Sequence, residues 1–157
     1  GPVITEKAIA GIDSKVKNAV EQGATVVTGG KVSDKGTHFY EPTILTDVDA
    51  SMSIFKEEIF GPVAPIFKFK TEEEAIAMAN DTDFGLAAYF YTENMGRIFR
   101  VGEGLQYGMV GANETAISSE VIPFGDVKES SQGREGSKYG LDDYLEIKYL
   151  CVGGLNR

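Results

Sequence analysis

Hydrophobic positions along the chain change their spacing several times, and each spacing predicts a different element. Behind Thr5, apolar residues recur every three to four positions, which predicts an amphipathic helix with Thr5 as its N-cap and Gly23 at its end. The face expected to be buried consists of Ile9, Ile12, Val16 and Ala19. Further helices are predicted from Thr71, with a capping box through Glu74, and over residues 92–106, where the expected apolar positions are Met95, Ile98, Phe99 and Leu105.

Short apolar runs between these helices predict strands. The predicted strands are 24–28, 39–48, 63–69, 86–91 and 109–112. The fourth run is almost continuously apolar, which favours a strand covered on both faces. Alternation of helices and strands predicts an α/β fold, with an open layered sheet and flanking helices.

The last part of the chain has a different character. Residues 113–138 are polar and rich in Gly and Ser, and this length indicates a functional loop or a second structural region. Beyond it, Leu145, Ile147, Tyr149 and Cys151 alternate with other residues and predict a terminal strand. No hairpin partner lies nearby in sequence, so we expect this strand to pair elsewhere, for example with another subunit. Cys151 lies on its apolar face, which favours a buried structural thiol over a nucleophile.

Composition narrows the class of protein. The 157 residues are 42% apolar and 25% charged, as in ordinary globular domains, and suffice for a core. A net charge of −9 argues against nucleic-acid or anionic-membrane partners, and no apolar run reaches the length of about 18 residues that a membrane span needs. No targeting segment is recognised, so a cytoplasmic or a mitochondrial matrix location is equally compatible with the sequence. One cysteine and one histidine, His38, argue against a disulfide and against a metal site.

The stretch 57–62 combines two carboxylates, an aromatic ring and a Gly-Pro break. Gly61 permits a turn or a close approach, and Pro62 restricts it to non-helical backbone. In an extended segment Glu58 and Phe60 would point the same way, so that the pair could hold a sugar hydroxyl and pack against a ring. The alternative is a charged turn before the next strand, and the residue pattern alone favours that alternative.

Several stretches resemble the aldehyde dehydrogenase superfamily. Residues 56–62 resemble its Glu-Glu-x-Phe-Gly-Pro motif, 79–87 its next signature, and 123–125 with 133–135 its C-terminal Pro-Phe-Gly-Gly…Gly-Arg-Glu block. A finer similarity, to the succinate-semialdehyde dehydrogenase branch, is found in residues 1–8, 117–119 and 134–149. The resemblance covers essentially the whole chain.

This resemblance implies a division of the chain. Residues 1–142, with the long loop 113–138, would be the later part of the catalytic domain, and residues 143–157 an oligomerisation strand and tail. Members of the superfamily are much longer, and their cofactor domain, catalytic cysteine and general-base glutamate lie upstream of the matching region. Cys151 matches a terminal position, so no catalytic residue is expected here. The chain alone is expected to be inactive, and the 145–152 strand to join a homo-oligomer or a full-length subunit.

The chemistry implied by the resemblance is oxidation of a small aldehyde, succinate semialdehyde, to the carboxylic acid. A cysteine thiolate attacks the aldehyde, hydride passes to NAD or NADP, and a water activated by glutamate hydrolyses the thioester. Carried over to this chain, Glu58 would hold the nicotinamide-side ribose, Phe60 would pack near the nicotinamide ring, and Ser118 would bond the far carboxylate of the substrate. The alternative for Ser118 is a loop serine bonded to its own backbone. Arg134 and Glu135 would form structural ion pairs.

Departures from the family pattern leave a second function open. Asp126 and Ser131 stand where the superfamily has glycines, and Thr115-Ala116 where it usually has Gly-Leu. A glycine with positive φ would make either substitution cost about 1–2 kcal/mol. If the loop lines the substrate tunnel, Asp126 would also repel an anionic substrate. A truncated, non-catalytic paralogue acting as an assembly module is therefore the alternative, and a small α/β binding domain is a weaker one.

Overall fold

The computed structural model describes residues 1–154, which form two compact units that divide after Thr71. The first unit contains helix α1 (Glu6–Glu21), strand β1 (Thr25–Thr28), strand β2 (Thr43–Thr46), helix α2 (Ser53–Lys56) and strand β3 (Val63–Pro65). Strand β2 lies in the middle of the sheet, antiparallel to β1 and parallel to β3.

Helix α1 forms as the sequence predicts. The Thr5 hydroxyl oxygen accepts a hydrogen bond from the Ala8 N–H at 3.1 Å, and Gly23 follows the helix with φ +109°. All four predicted apolar positions are buried, and they form the core of the unit with Ala24, Tyr40, Leu45, Val48, Met52 and Ile54. Strands β2 and β3 are shorter than predicted.

The second unit begins with helix α3 (Glu72–Asn80), strands β4 (Phe84–Gly85) and β5 (Ala87–Phe90), helix α4 (Met95–Gly104) and strand β6 (Met109–Ala112). It continues with strands β7 (Phe124–Gly125), β8 (Val127–Lys128) and β9 (Arg134–Glu135) and a 3₁₀ helix (Tyr139–Tyr144). Strands β5 and β6 pair in parallel, whereas the β4–β8 and β7–β9 pairs are antiparallel. The predicted fold class, α/β with open sheets and flanking helices, is confirmed.

Exposure in the second unit departs from the sequence prediction. The β5 residue Tyr89 is 47% exposed, and on α4 the expected core residues Met95 and Phe99 are 66% and 62% exposed. The long polar loop is not structureless, because it carries β7, β8 and β9. An apolar run in the sequence indicates which side chains favour burial. It does not show whether the residues that would bury them belong to the same stretch of chain.

The terminal strand predicted at 145–152 is not observed. Residues 145–154 belong to neither helix nor strand, and their side chains are exposed. Extended chain becomes a strand only when a neighbouring strand supplies its hydrogen bonds, and no described residue does so here. Cys151 is exposed, so the prediction of a buried thiol was wrong for this chain. Pairing of this segment with another subunit stays a prediction.

Candidate functional site

The bend 57–62 is fixed to the first unit at several points. Ile59 packs against the buried core, and the Pro62 carbonyl accepts a hydrogen bond from the Thr43 N–H at 2.8 Å. Gly61 lies directly on the Ile12 side chain, since a Cβ at Gly61 would be 2.8 Å from Ile12 Cγ1. The close approach predicted for Gly61 is therefore present. Ile59, Gly61 and Pro62 thus attach the bend to the rest of the unit.

Phe60 is the unusual residue of this bend. Its φ is +49°, and its side chain is 82% exposed. A non-glycine residue in left-handed backbone costs about 1–2 kcal/mol, and an exposed phenyl ring recovers little of that by packing. Strain held by surrounding contacts is typical of functional positions. In an extended segment Glu58 and Phe60 would point the same way, and the positive φ of Phe60 departs from that conformation.

The two neighbouring carboxylates of the bend have different surroundings. Glu57 forms an ion pair with Lys15 of α1, at 3.5 Å between Nζ and Oε2. Glu58 is exposed and makes no hydrogen bond or ion pair with any residue between 1 and 154. Its oxygens can therefore accept hydrogen bonds from a ligand.

A cleft of 710 Å³ lies between the start of the chain, α1 and the bend, and Phe60 forms part of its wall. The wall is mainly apolar, and Lys15 is the only charged side chain among the described residues that line it. An apolar wall ending in an aromatic ring suits a flat ring better than a charged group.

Ser118 lies in the second unit, on the segment between β6 and β7. It is exposed and makes no hydrogen bond with the residues that the structure describes. The local bond that was the alternative for Ser118 belongs to its neighbour, since Ser119 Oγ accepts from the Val121 N–H at 3.5 Å. The segment is held in place by the Ser137 N–H, which donates to the Glu120 carbonyl at 2.9 Å. The Ser118 hydroxyl is therefore available to a ligand.

The start of the same segment is shaped by Glu114. Its Oε1 accepts the backbone N–H groups of Thr115 and Ala116, at 2.7 and 2.8 Å. These bonds lower the pKa of the Glu114 carboxyl. The unusual Thr115-Ala116 pair is thus tied to a neighbouring carboxylate.

A second cleft, of 650 Å³, is bordered by the β7–β9 pair and the 3₁₀ helix. Asp126 and Ser131, the two departures from the family pattern, both line it. Neither is among the residues with positive φ in the described range 1–154, so the backbone cost considered for them does not arise. What remains is that Asp126, a charged residue, lines this cleft.

Arg134 stabilises the cleft in a way the sequence did not predict. Its Nη1 donates to the backbone carbonyls of Asp126 and Gly133, at 2.7 and 2.8 Å. Neither Arg134 nor Glu135 forms an ion pair with another described residue, so that prediction was wrong. A guanidinium group can satisfy its donors on carbonyl oxygens alone when two of them converge.

Lys128 is a second residue that sequence reasoning missed. Its Nζ donates to the carbonyls of Asn80 and Thr82, each at 2.9 Å, at the end of α3. Cations are favourable near a helix C-terminus. The contact joins residues 46 and 48 positions apart, so local sequence patterns contain no signal for it.

A sequence profile of the aldehyde dehydrogenase family matches residues 1–150. The chain belongs to the aldehyde dehydrogenase family. Among curated relatives, "Succinate-semialdehyde dehydrogenase [NADP(+)] GabD" of Escherichia coli (strain K12) is 58% identical over 98% of this chain and 32% of its own length. "3-sulfolactaldehyde dehydrogenase" of Pseudomonas putida is 52% identical over 100% of this chain and 32% of its own length. A solved structure described as "Crystal structure of E. coli NADP dependent enzyme" superposes with a TM-score of 0.94, at 58% identity over 98% of this chain and 32% of that one.

The chain thus spans about a third of the length of the aldehyde dehydrogenases it matches. The relatives described above are named as dehydrogenases, and the Escherichia coli one is named for NADP(+). Within residues 1–154 no helix is long and apolar enough to cross a membrane, and no three His, Cys, Asp or Glu side chains are grouped as a metal site would require.

The bend suits part of a nicotinamide cofactor of an aldehyde dehydrogenase. Ribose hydroxyls can donate hydrogen bonds to the Glu58 carboxylate, which has no hydrogen-bond or ion-pair partner among the described residues. The exposed ring of Phe60 offers a face to the nicotinamide. Glu58 and Phe60 belong to the first unit and Ser118 to the second.

Proposed function

We propose that this chain supplies cofactor and substrate contacts to an NAD(P)-dependent aldehyde dehydrogenase that oxidises succinate semialdehyde to succinate. The observation that carries the proposal is Phe60, a strained and exposed aromatic residue next to the partnerless carboxylate of Glu58, on a bend fixed to the core. A charged turn alone would not require the strain, because a turn with ordinary dihedrals has no such cost.

Glu58 and Phe60 have the cofactor roles. The Glu58 carboxylate accepts hydrogen bonds from the ribose hydroxyls, and the Phe60 ring limits the positions open to the nicotinamide ring. When bound, NAD(P)⁺ accepts the hydride that the aldehyde carbon loses, while water supplies the second oxygen of the carboxylic acid. The chain's own residues bind and orient, and we assign no proton transfer to them.

Ser118 has the substrate role. Both relatives described above are named for aldehydes that carry an anionic group, a carboxylate in one case and a sulfonate in the other. A hydroxyl without a protein partner, on a segment anchored at Glu120, can donate to such an anion. We therefore propose an aldehyde with a distal anion as the substrate class, and succinate semialdehyde as its representative.

The nucleophile is not proposed from this chain. Cys151 is its single cysteine, and it lies in the exposed terminal segment without helix or strand. We expect the 157 residues alone to be inactive and to act within an assembled enzyme, with residues 145–152 paired to another subunit. The alternative, a non-catalytic assembly module, shares that pairing and differs in the catalytic outcome.

The test uses a chimera in which these residues replace the matching third of the Escherichia coli relative. Phe60→Ala is expected to weaken NADP⁺ binding by about tenfold or more, because the ring is no longer confined. Ser118→Ala is expected to raise KM for succinate semialdehyde about tenfold, the equivalent of one hydrogen bond to a charged group, with little change in NADP⁺ affinity. Titration calorimetry and steady-state kinetics separate the two effects.

Matched controls are available in the same units. Phe69→Ala removes another exposed phenylalanine, and Ser119→Ala removes the serine that bonds its own backbone. Both should leave cofactor affinity and KM nearly unchanged. A folded chimera without NADP⁺ binding, or with Phe60→Ala and Ser118→Ala as silent as their controls, would overturn the proposal and favour the assembly module.

A further inference from the structure

The bend that carries Glu58 and Phe60 is held by packing contacts on both sides of Phe60. Ile59 packs against the core of the first unit, and Gly61 rests on Ile12 of α1. Phe60 between them is the exposed residue with positive φ. Because Ile59 and Gly61 both contact the interior of the unit, the side chain of Phe60 between them lies on the outside.

The contact between Gly61 and Ile12 depends on the missing side chain. Gly61 does not have a positive φ, so its backbone would accept alanine without strain. The obstacle is Ile12, whose Cγ1 would lie 2.8 Å from an added Cβ and whose Cδ1 would lie closer still. Ile12 is 1% exposed and surrounded by core residues, so it has little room to move aside.

The same face of α1 also reaches the start of the bend. Lys15 follows Ile12 by three positions, which places both on one side of the helix. Its ammonium group pairs with Glu57, the residue next to Glu58, and its side chain is 21% exposed. Helix α1 therefore contacts the residues that flank Glu58 and Phe60, while Glu58 itself makes no hydrogen bond or ion pair with the described residues.

We propose that Ile12 is a positioning residue for the nicotinamide cofactor, which acts by seating Gly61 on α1 and so fixing the direction of Phe60 and Glu58. This inference rests on the cofactor roles proposed above for those two residues. It adds that the size of residue 12, which contacts Gly61 of the bend, affects cofactor affinity. Lys15 supports the same arrangement through Glu57.

The test is a size exchange in the chimera. Gly61→Ala is expected to weaken NADP⁺ binding about tenfold, because an added Cβ pushes the bend away from α1. Ile12→Ala leaves the bend without support and is expected to weaken binding by a smaller factor. The double variant Ile12→Ala/Gly61→Ala removes the Ile12 atoms that an added Cβ at Gly61 would meet, and is expected to recover affinity to within about threefold of the parent. Calorimetric titration with NADP⁺ alone measures all three.

A purely structural contact would behave differently. It would lower the thermal midpoint of Gly61→Ala without changing the NADP⁺ affinity of the folded protein, and that result would overturn the inference. So would a double variant that binds as weakly as Gly61→Ala. Gly102→Ala is the matched control, since nothing lies within 4 Å of the added Cβ there. Lys15→Gln and Lys17→Gln form a second pair, because Lys17 pairs with Asp13 and not with the bend.

The outcomes also separate this inference from the proposed function. If Phe60→Ala leaves NADP⁺ affinity unchanged, the cofactor role of the bend is wrong, and the positioning role is wrong with it. If Phe60→Ala weakens binding and Gly61→Ala does not, only the positioning role of Ile12 is wrong.

Discussion

At the scale of single residues, the proposed cofactor contact and the strained backbone fall on the same residue, Phe60. A positive φ is energetically unfavourable for an aromatic residue, and an exposed ring gains little from packing. The neighbours Ile59 and Gly61 hold Phe60 in this conformation. No sequence pattern announces a left-handed phenylalanine, since glycine is the residue that suggests such a conformation. The motif identifies this bend by its resemblance to the family, and the structure shows that the strained residue within it is Phe60.

The structure also changes the interpretation of Asp126, which stands where the family has a glycine. Its backbone has no positive φ, so the cost of replacing a glycine falls away, whereas its carboxylate lines the second cleft. We expect restoration of both glycines, Asp126→Gly with Ser131→Gly, to raise turnover of succinate semialdehyde by the chimera. The gain should be about fivefold in kcat/KM, because repulsion between two like charges near a surface is on the order of 1 kcal/mol.

The charge explanation predicts how that gain is divided. Asp126→Asn should give most of it, Ser131→Gly little, and added salt should reduce the difference from the parent enzyme. Kinetics at two ionic strengths provide the measurement. Equal kcat/KM for the parent and the restored enzyme would show that the cleft of Asp126 does not influence the substrate.

At the scale of elements, the predictable parts are those with a regular period. Helix α1 buries the four residues that its spacing predicted, and β6 occupies the predicted residues, because each pattern is complete within its own segment. Contacts between distant segments were not predictable. Lys128 bonds the end of α3, 46 and 48 positions away, and this interaction leaves no local signature in the sequence.

Helices α3 and α4 are joined by a charged contact of this distant kind. The Glu72 carboxylate accepts hydrogen bonds from Arg97 and Arg100 at 2.7–3.0 Å. Bonds from Arg100, and then from Arg97, lower the pKa of Glu72 from 4.5 to about 2. A carboxyl with a lowered folded-state pKa stabilises the fold above its unfolded pKa and loses that contribution as pH falls through its folded value.

This linkage predicts the acid stability of the chain. Glu72→Gln should lower the thermal midpoint at neutral pH, and the difference from the parent chain should shrink between about pH 4.5 and pH 2 as Glu72 becomes protonated. Circular dichroism melts across that range provide the measurement, with Glu103→Gln on α4 as the control. A difference that stays constant down to pH 2 would contradict the assigned contact.

At the scale of the whole molecule, the exposed apolar surface follows from the same cause as the missing strand. Met95, Phe99 and Tyr89 are exposed, and Ile147, in the terminal segment, is fully exposed. The sequence predicted that these residues need cover, and the described residues do not provide it. Their exposure fits a chain that covers about a third of its relatives' length. We expect an assembled enzyme to supply the cover.

We propose that this chain supplies part of an aldehyde dehydrogenase active site. The most direct measurement is the initial rate of NADPH formation from succinate semialdehyde and NADP⁺, for the chimera and for the purified 157-residue chain. We expect a chimera with kcat/KM within about tenfold of the Escherichia coli enzyme, a difference of about 1.4 kcal/mol in transition-state stabilisation, and no turnover by the chain alone. A folded chimera without turnover, or clear turnover by the isolated chain, would contradict it.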